Sequence, residues 1–146
     1  MEIGRRADLV IPIFQASERV KHLKVIGGGL SRLLRRLNRI VYSCEIVHGA
    51  QIPPSCIFVH GGLGVVIGGG VVLGERCIIH QNVTIGTDLG QTNELYPHIG
   101  NDVILCAGCC VIGDVMVGDG AIIGANAVVT RDVPPGATVV GANRIL

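Results

Sequence analysis

Between Ile99 and Val129 an aliphatic residue returns at every sixth position: Ile99, Leu105, Val111, Val117, Ile123 and Val129. Four places after each comes a small or β-branched residue: Val103, Cys109, Val115, Ala121, Ala127 and Val133. A helix repeats at 3.6 residues and a flat strand at 2, so neither makes a period of six. That period belongs to a β-helix, in which short parallel strands are joined by tight turns. It extends upstream through Ile67, Leu73, Ile79 and Ile85, and before them Ile46, Ile52 and Phe58. Three hexapeptides close one triangular coil, and residues 43–146 have room for about five coils.

The register slips twice. Phe58 to Ile67 is a step of nine, and Ile85 to Ile99 a step of fourteen. Extra residues cannot enter a solenoid core, so both become outward loops, the usual carriers of binding and chemistry. The first holds His60, and the second is the loop 86–98.

Residues 1–42 read differently, as a helical segment. Leu30, Leu33, Leu34, Leu37, Ile40 and Val41 make one apolar helical face, with Arg32, Arg35, Arg36 and Arg39 opposite. The apolar face is expected to pack on the β-domain or a sister subunit; peripheral membrane contact is the alternative. An earlier short helix is expected to take Ser17 as N-cap, Glu18 in its first turn, and Gly27–Gly29 as its stop.

Composition sharpens this picture. The 146 residues are 49% apolar with 22 glycines and four aromatic rings, so the core must be stacked aliphatics rather than large rings. Nine of the twelve Lys and Arg but only three of the eleven acids fall in residues 1–42, which are +6 against −5 for the remainder. With no recognition motif or aromatic platform beside it, this asymmetry does not indicate a nucleic-acid partner. The charged N-terminus lacks a signal-peptide pattern. The six cysteines are expected as reduced thiols in the cytoplasm, with Cys109 inward as a small hydrophobe.

Four stretches carry a resemblance: "CEIVHGAQI", "VHGGLGVVIGGGVVLGERCIIHQNVTIG", "YPHIGNDV" and "ANAVVTRDVPPGATVVG". The chain resembles the serine acetyltransferase branch of the hexapeptide-repeat acyltransferases, including short polysaccharide acetyltransferases, over about residues 30–146. The resemblance implies a left-handed parallel β-helix, a homotrimer and acetyl-CoA as donor. It also implies that His60 is the catalytic base, with Glu45, fifteen residues earlier, as its orienting carboxylate. Backbone amides at Ala107 and Ala125 would contact the pantetheine arm. The pairing is chemically sound. A hydroxyl attacks a thioester only as a base takes its proton, and a carboxylate on the far imidazole nitrogen fixes the tautomer.

Departures bear on the acceptor. Val59 stands where the serine enzymes carry Asp, and Leu95-Tyr96 where they carry Arg-His. Leu95 cannot grip a carboxylate as a guanidinium does. Tyr96 offers a ring and a hydroxyl that suit a sugar, and His98 ends the loop where it could line an acceptor site. A sugar or glycan-precursor hydroxyl is therefore the first expectation, with L-serine second and a non-catalytic scaffold third. No metal is expected, because the two-ligand His spacing of zinc enzymes on this fold is missing.

Overall fold

The computed structural model describes residues 9–23, 27–87 and 95–141, with the backbone of 144–145. Its larger part is a three-faced parallel β-helix. The first face stacks β1 (Glu45–Ile46), β3 (Val66–Ile67), β6 (Thr84–Gly86), β9 (Cys110–Ile112) and β12 (Val128–Val129). The second holds β4 (Val72–Leu73), β7 (His98–Ile99) and β10 (Met116–Val117), extended by single bridges at Gln51 and Val133. The third stacks β2 (Ile57–Phe58), β5 (Ile78–Ile79), β8 (Ile104–Leu105), β11 (Ile122–Ile123) and β13 (Thr138–Val140). On β13 lies the antiparallel β14 (Arg144–Ile145).

Register follows the period of six. Ile67 sits beside Ile85, Ile85 beside Val111, and Val111 beside Val129, all fully buried. The small positions Val103, Cys109, Val115, Ala121, Ala127 and Val133 are buried too, because they turn the corner towards the axis. Each strand is two or three residues long, so one residue points inward and its neighbour outward. The first register slip is absorbed by a tight turn, Val59–Gly62, between β2 and β3, in which His60, Gly61 and Gly62 are left-handed. Of the second, residues 88–94 lie outside the described residues.

The helical segment departs from expectation. Helix α1 runs Val10–Val20, so Ser17 lies inside it. The buried Ser17 Oγ donates back to the Phe14 carbonyl at 2.7 Å, satisfying itself within the helix rather than capping one. Helix α2 runs Gly27–Tyr42, so the glycines open it instead of stopping α1.

Its packing is inverted as well. The buried residues of α2 are Gly27, Ser31 and Asn38. A Cβ on Gly27 would fall 2.7 Å from the Lys21 carbonyl oxygen, and Asn38 Nδ2 donates to the Val10 carbonyl at 3.1 Å. Small and polar residues let the two helices approach closely. The apolar stripe is left outward, Ile40 being 77% and Val41 63% exposed. It does not pack on the chain's own β-domain.

Helix α1 is tied to the first coil through His48. Its Nδ1–H donates to Glu18 Oε1 at 2.7 Å, while the Lys21 ammonium donates to Nε2. Among the described residues, no helix is long and apolar enough to cross a membrane.

Candidate active site

Where the third face turns into the first, four corners stack into one edge. They are bolted together by backbone bonds. Gly64 N–H donates to Ser43 (2.9 Å), Asn82 to Leu63 (2.8 Å), Gly108 to Gln81 (3.0 Å) and Asn126 to Ala107 (2.9 Å). A left-handed residue makes each corner: Gly64 (φ 69°) in the first, then Asn82 (58°), Gly108 (70°) and Asn126 (55°), and His60 (φ 56°) is left-handed in the extra turn before Gly64. Asn tolerates that region and glycine has no Cβ to oppose it; histidine pays of order 1–3 kcal/mol there, which the surrounding packing must offset.

Packing around the His60 turn is close. Gly61 and Gly62 are buried beneath it, and a Cβ on Gly62 would lie 3.1 Å from Phe58 Cδ1 and 3.2 Å from Cys44 Sγ. The His60 side chain itself is exposed. The turn therefore rests on Ser43 and Cys44, immediately before Glu45, so His60 and Glu45 come from adjoining backbone. Their side chains share no hydrogen bond in the isolated chain. The Glu45 carboxylate is turned instead to Arg39, with Nε at 3.7 Å from Oε2.

Ala107 and Ala125 occupy successive lower corners of this same edge, Ala125 exposed and Ala107 half-buried. Between His60 and Ala125 lie three rungs, a run of about 14 Å at the usual strand spacing. His80 is on the edge too, since Phe58 pairs with Ile79 and His80 follows it. Gln81 Oε1 is buried there without a hydrogen-bond partner among the described residues. Alanines at the two lower corners with one orphaned acceptor in the corner above them suit a thin chain bearing amide N–H groups, such as a pantetheine arm. Burial pushes the thiol of Cys106, beside Ala107, above its ordinary range, and that of Cys109 up to about 12, so neither is a ready nucleophile.

Tyr96 and His98 lie elsewhere in the chain. The Tyr96 ring covers Gly68 and Gly70, where a Cβ on Gly68 would come within 2.8 Å of Cε1. His98 is exposed on β7, in the second face, between Val72 and Met116. Within one chain, the residues proposed for the acceptor are not gathered with His60, Ala107 and Ala125.

The sequence reading missed one feature. Arg32, Arg35, Arg36 and Arg39 do not simply face solvent. With Glu45, Ile46 and Val47 they line a cavity of about 210 Å³ against β1. The signal was their i, i+3, i+4, i+7 spacing, which places all four on one side of α2.

Residues 96–131 match the family model described as bacterial transferase hexapeptide, six repeats. The chain is 41% identical over 112 residues to a serine acetyltransferase of Synechococcus elongatus, covering 77% of this chain and 46% of that protein. Among solved structures, it resembles a serine acetyltransferase in complex with CoA (TM-score 0.86, 27% identity), covering 98% of this chain and 58% of that one. It likewise resembles soybean serine acetyltransferase complexed with serine (TM-score 0.87, 28% identity, 98% and 58%). The chain thus spans about half the length of these relatives. The shared span includes both helices as well as the solenoid, since nearly the whole chain is superposed.

Proposed function

We propose, from the premise that the chain belongs to the hexapeptide-repeat acyltransferases on the serine acetyltransferase branch, that it moves an acetyl group from acetyl-CoA to the hydroxyl of L-serine. The observation that carries this reading is the exposed His60 at the head of the edge whose lower corners hold Ala107 and Ala125, on a fold shared with a CoA-bound serine acetyltransferase.

In this reading the β-helix is left-handed and works as a homotrimer. The pantetheine arm lies along the edge past Ala125 and Ala107, with its thioester at His60. His60 takes the hydroxyl proton as serine Oγ forms its bond to the acetyl carbon. The carbon–sulfur bond then breaks, and the thiolate leaves with that proton. Glu45 orients the imidazole and stabilises its charged form once it turns from Arg39. Backbone N–H groups of the turn stabilise the developing oxyanion.

The glycan acceptor favoured by the sequence reading gives way to serine. The relatives matched are serine acetyltransferases, and the Tyr96 ring, expected to receive a sugar face, is spent on covering Gly68 and Gly70.

Thiol release from acetyl-CoA is the direct test, with L-serine, homoserine, sugars and nucleotide sugars as acceptors. Saturable release with L-serine is expected, falling about 10²- to 10⁴-fold in His60→Ala, with a smaller loss in Glu45→Gln. Turnover on sugars alone would overturn the acceptor, and an unimpaired His60→Ala the base.

A further inference from the structure

We infer that Cys56 and Cys77 form a dithiol that peroxide converts to a disulfide, clamping the coil that carries His60 to the next coil. The site stands apart from the acyl transfer proposed above, and a chain without that activity would possess it equally.

Ile57 pairs with Ile78, so Cys56 and Cys77, each one residue earlier, stack on neighbouring rungs of the third face. No other two cysteines are rung neighbours. Cys44 stands beside Val65, and Cys109 between Val83 and Ala127. Cys106 stands beside His80 and Gly124, and Cys110 pairs with Thr84 and Val128. The Cys56 and Cys77 thiols also converge. Both donate to one oxygen, the Gly74 carbonyl, at 3.3 and 3.4 Å. Rungs about 4.8 Å apart put the two Cα atoms within the range of roughly 4.4–6.8 Å that a disulfide spans. Stacked Cβ atoms start a little wider than the ideal of about 3.8 Å, so closing the bond draws the rungs together and leaves it readily reduced.

Access is one-sided. Cys56 lines a cavity of about 280 Å³ between α1 and β2, with Ile11, Pro12, Gln15 and Pro54. Cys77 lies behind it, fully buried. The hydrogen bond between the thiols raises Cys56 and draws Cys77 below its ordinary range, whereas burial pushes Cys44 up to about 12. The pair thus gives up a proton more readily than a lone buried thiol, and a proton shift along the same bond places the charge on Cys56. The Cys56 sulfur attacks peroxide, the O–O bond breaks, and hydroxide leaves to become water, which makes a sulfenic acid. The Cys77 sulfur then attacks that sulfur, the S–O bond breaks, and a second water departs with the Cys77 proton. Two thiols lose two electrons, and one peroxide becomes two waters. Two residues beyond Cys56, Phe58 lies against Gly62 beneath the His60 turn, so the clamp fixes the segment on which that turn stands.

The test treats the unaltered chain with millimolar hydrogen peroxide and alkylates the remaining thiols in denaturant. Cleavage after Lys, Arg and Glu then isolates Cys56 in residues 46–75 and Cys77 in residues 77–94. The expected product is these two peptides joined, lighter by two hydrogens than their sum, and separated again by dithiothreitol. Because the bond closes a loop of 21 residues, the thermal midpoint should rise by about 5 °C on oxidation and fall back on reduction. Cys56→Ala and Cys77→Ala introduce the residue that Ala121 supplies further along the same column. Both should keep the circular dichroism of the unaltered chain and show neither the joined peptide nor the rise. Recovery of the two peptides apart from the oxidised chain, whether alkylated or as sulfinic acids, would overturn the dithiol. A joined peptide with an unmoved midpoint would overturn the clamp, as would a rise retained in both Ala variants.

Discussion

Three consecutive residues, His60, Gly61 and Gly62, take the left-handed backbone region, and only the two glycines do so without a Cβ to oppose it. The third has a second constraint, because Phe58 and Cys44 already occupy the space beside it. Gly62→Ala should therefore lower stability by about 1–2 kcal/mol from its positive φ alone, and somewhat more from crowding. Urea unfolding measures the first effect. Thiol release should fall as well, since the same turn aims His60. A variant with unaltered midpoint and rate would show that the turn tolerates a methyl group and that its geometry does not control the imidazole.

Among elements, successive rungs are joined by side chains as well as by strand pairing. Arg76 in one turn forks onto Asp102 in the next, Nε to Oδ1 and Nη2 to Oδ2, both at 2.6 Å. These bonds hold the Asp102 carboxyl below the ordinary carboxylate range. A depressed folded pKa means stability present above the ordinary carboxylate pKa and lost as pH falls through the lowered one. Both groups are exposed, so the effect on stability is small and salt-sensitive. Carboxyl NMR titration should place the Asp102 midpoint below that of ordinary aspartates, and Arg76→Gln should return it upward. An unchanged midpoint in Arg76→Gln would mean that the fork opens in solution.

For the whole molecule, the outward stripe of α2 is the face that the proposed assembly would cover. Leu33, Leu37, Ile40 and Val41 together form an apolar face on a helix whose packed side is already satisfied. The homotrimer proposed above covers such a face against sister subunits, as closed symmetry permits. Light scattering should give three times 15.3 kDa. Ile40→Glu should shift the population towards monomer, with the β-helix circular dichroism retained. A monomeric unaltered chain at working concentration would overturn the proposed homotrimer, and a trimer unmoved by Ile40→Glu would place the interface elsewhere.

What the sequence by itself determined is the solenoid: its period, its inward residues, its five coils and the place before Ile67 where extra residues had to leave it. That is because a β-helix is built from contacts one coil apart, so a residue's spacing alone states whether it meets the axis. The outward position of His60 was legible for the same reason. Helix packing had no such local rule. Moment and spacing marked the Leu33–Val41 side of α2 as the buried face, but tertiary structure chose the side with Gly27, Ser31 and Asn38, where backbones approach most closely and Asn38 meets the Val10 carbonyl. Only that choice turned Arg32, Arg35, Arg36 and Arg39 towards Glu45, and it gave Glu45 an arginine as its neighbour in the isolated chain. Likewise Tyr96 could be seen as a ring in a loop, but not as the cover over Gly68 and Gly70, because that contact joins residues twenty-six and twenty-eight apart, across a break in the period of six. Spacing reads what repeats; the partner of a side chain that stands outside the repeat is settled by which surfaces the folded chain brings together.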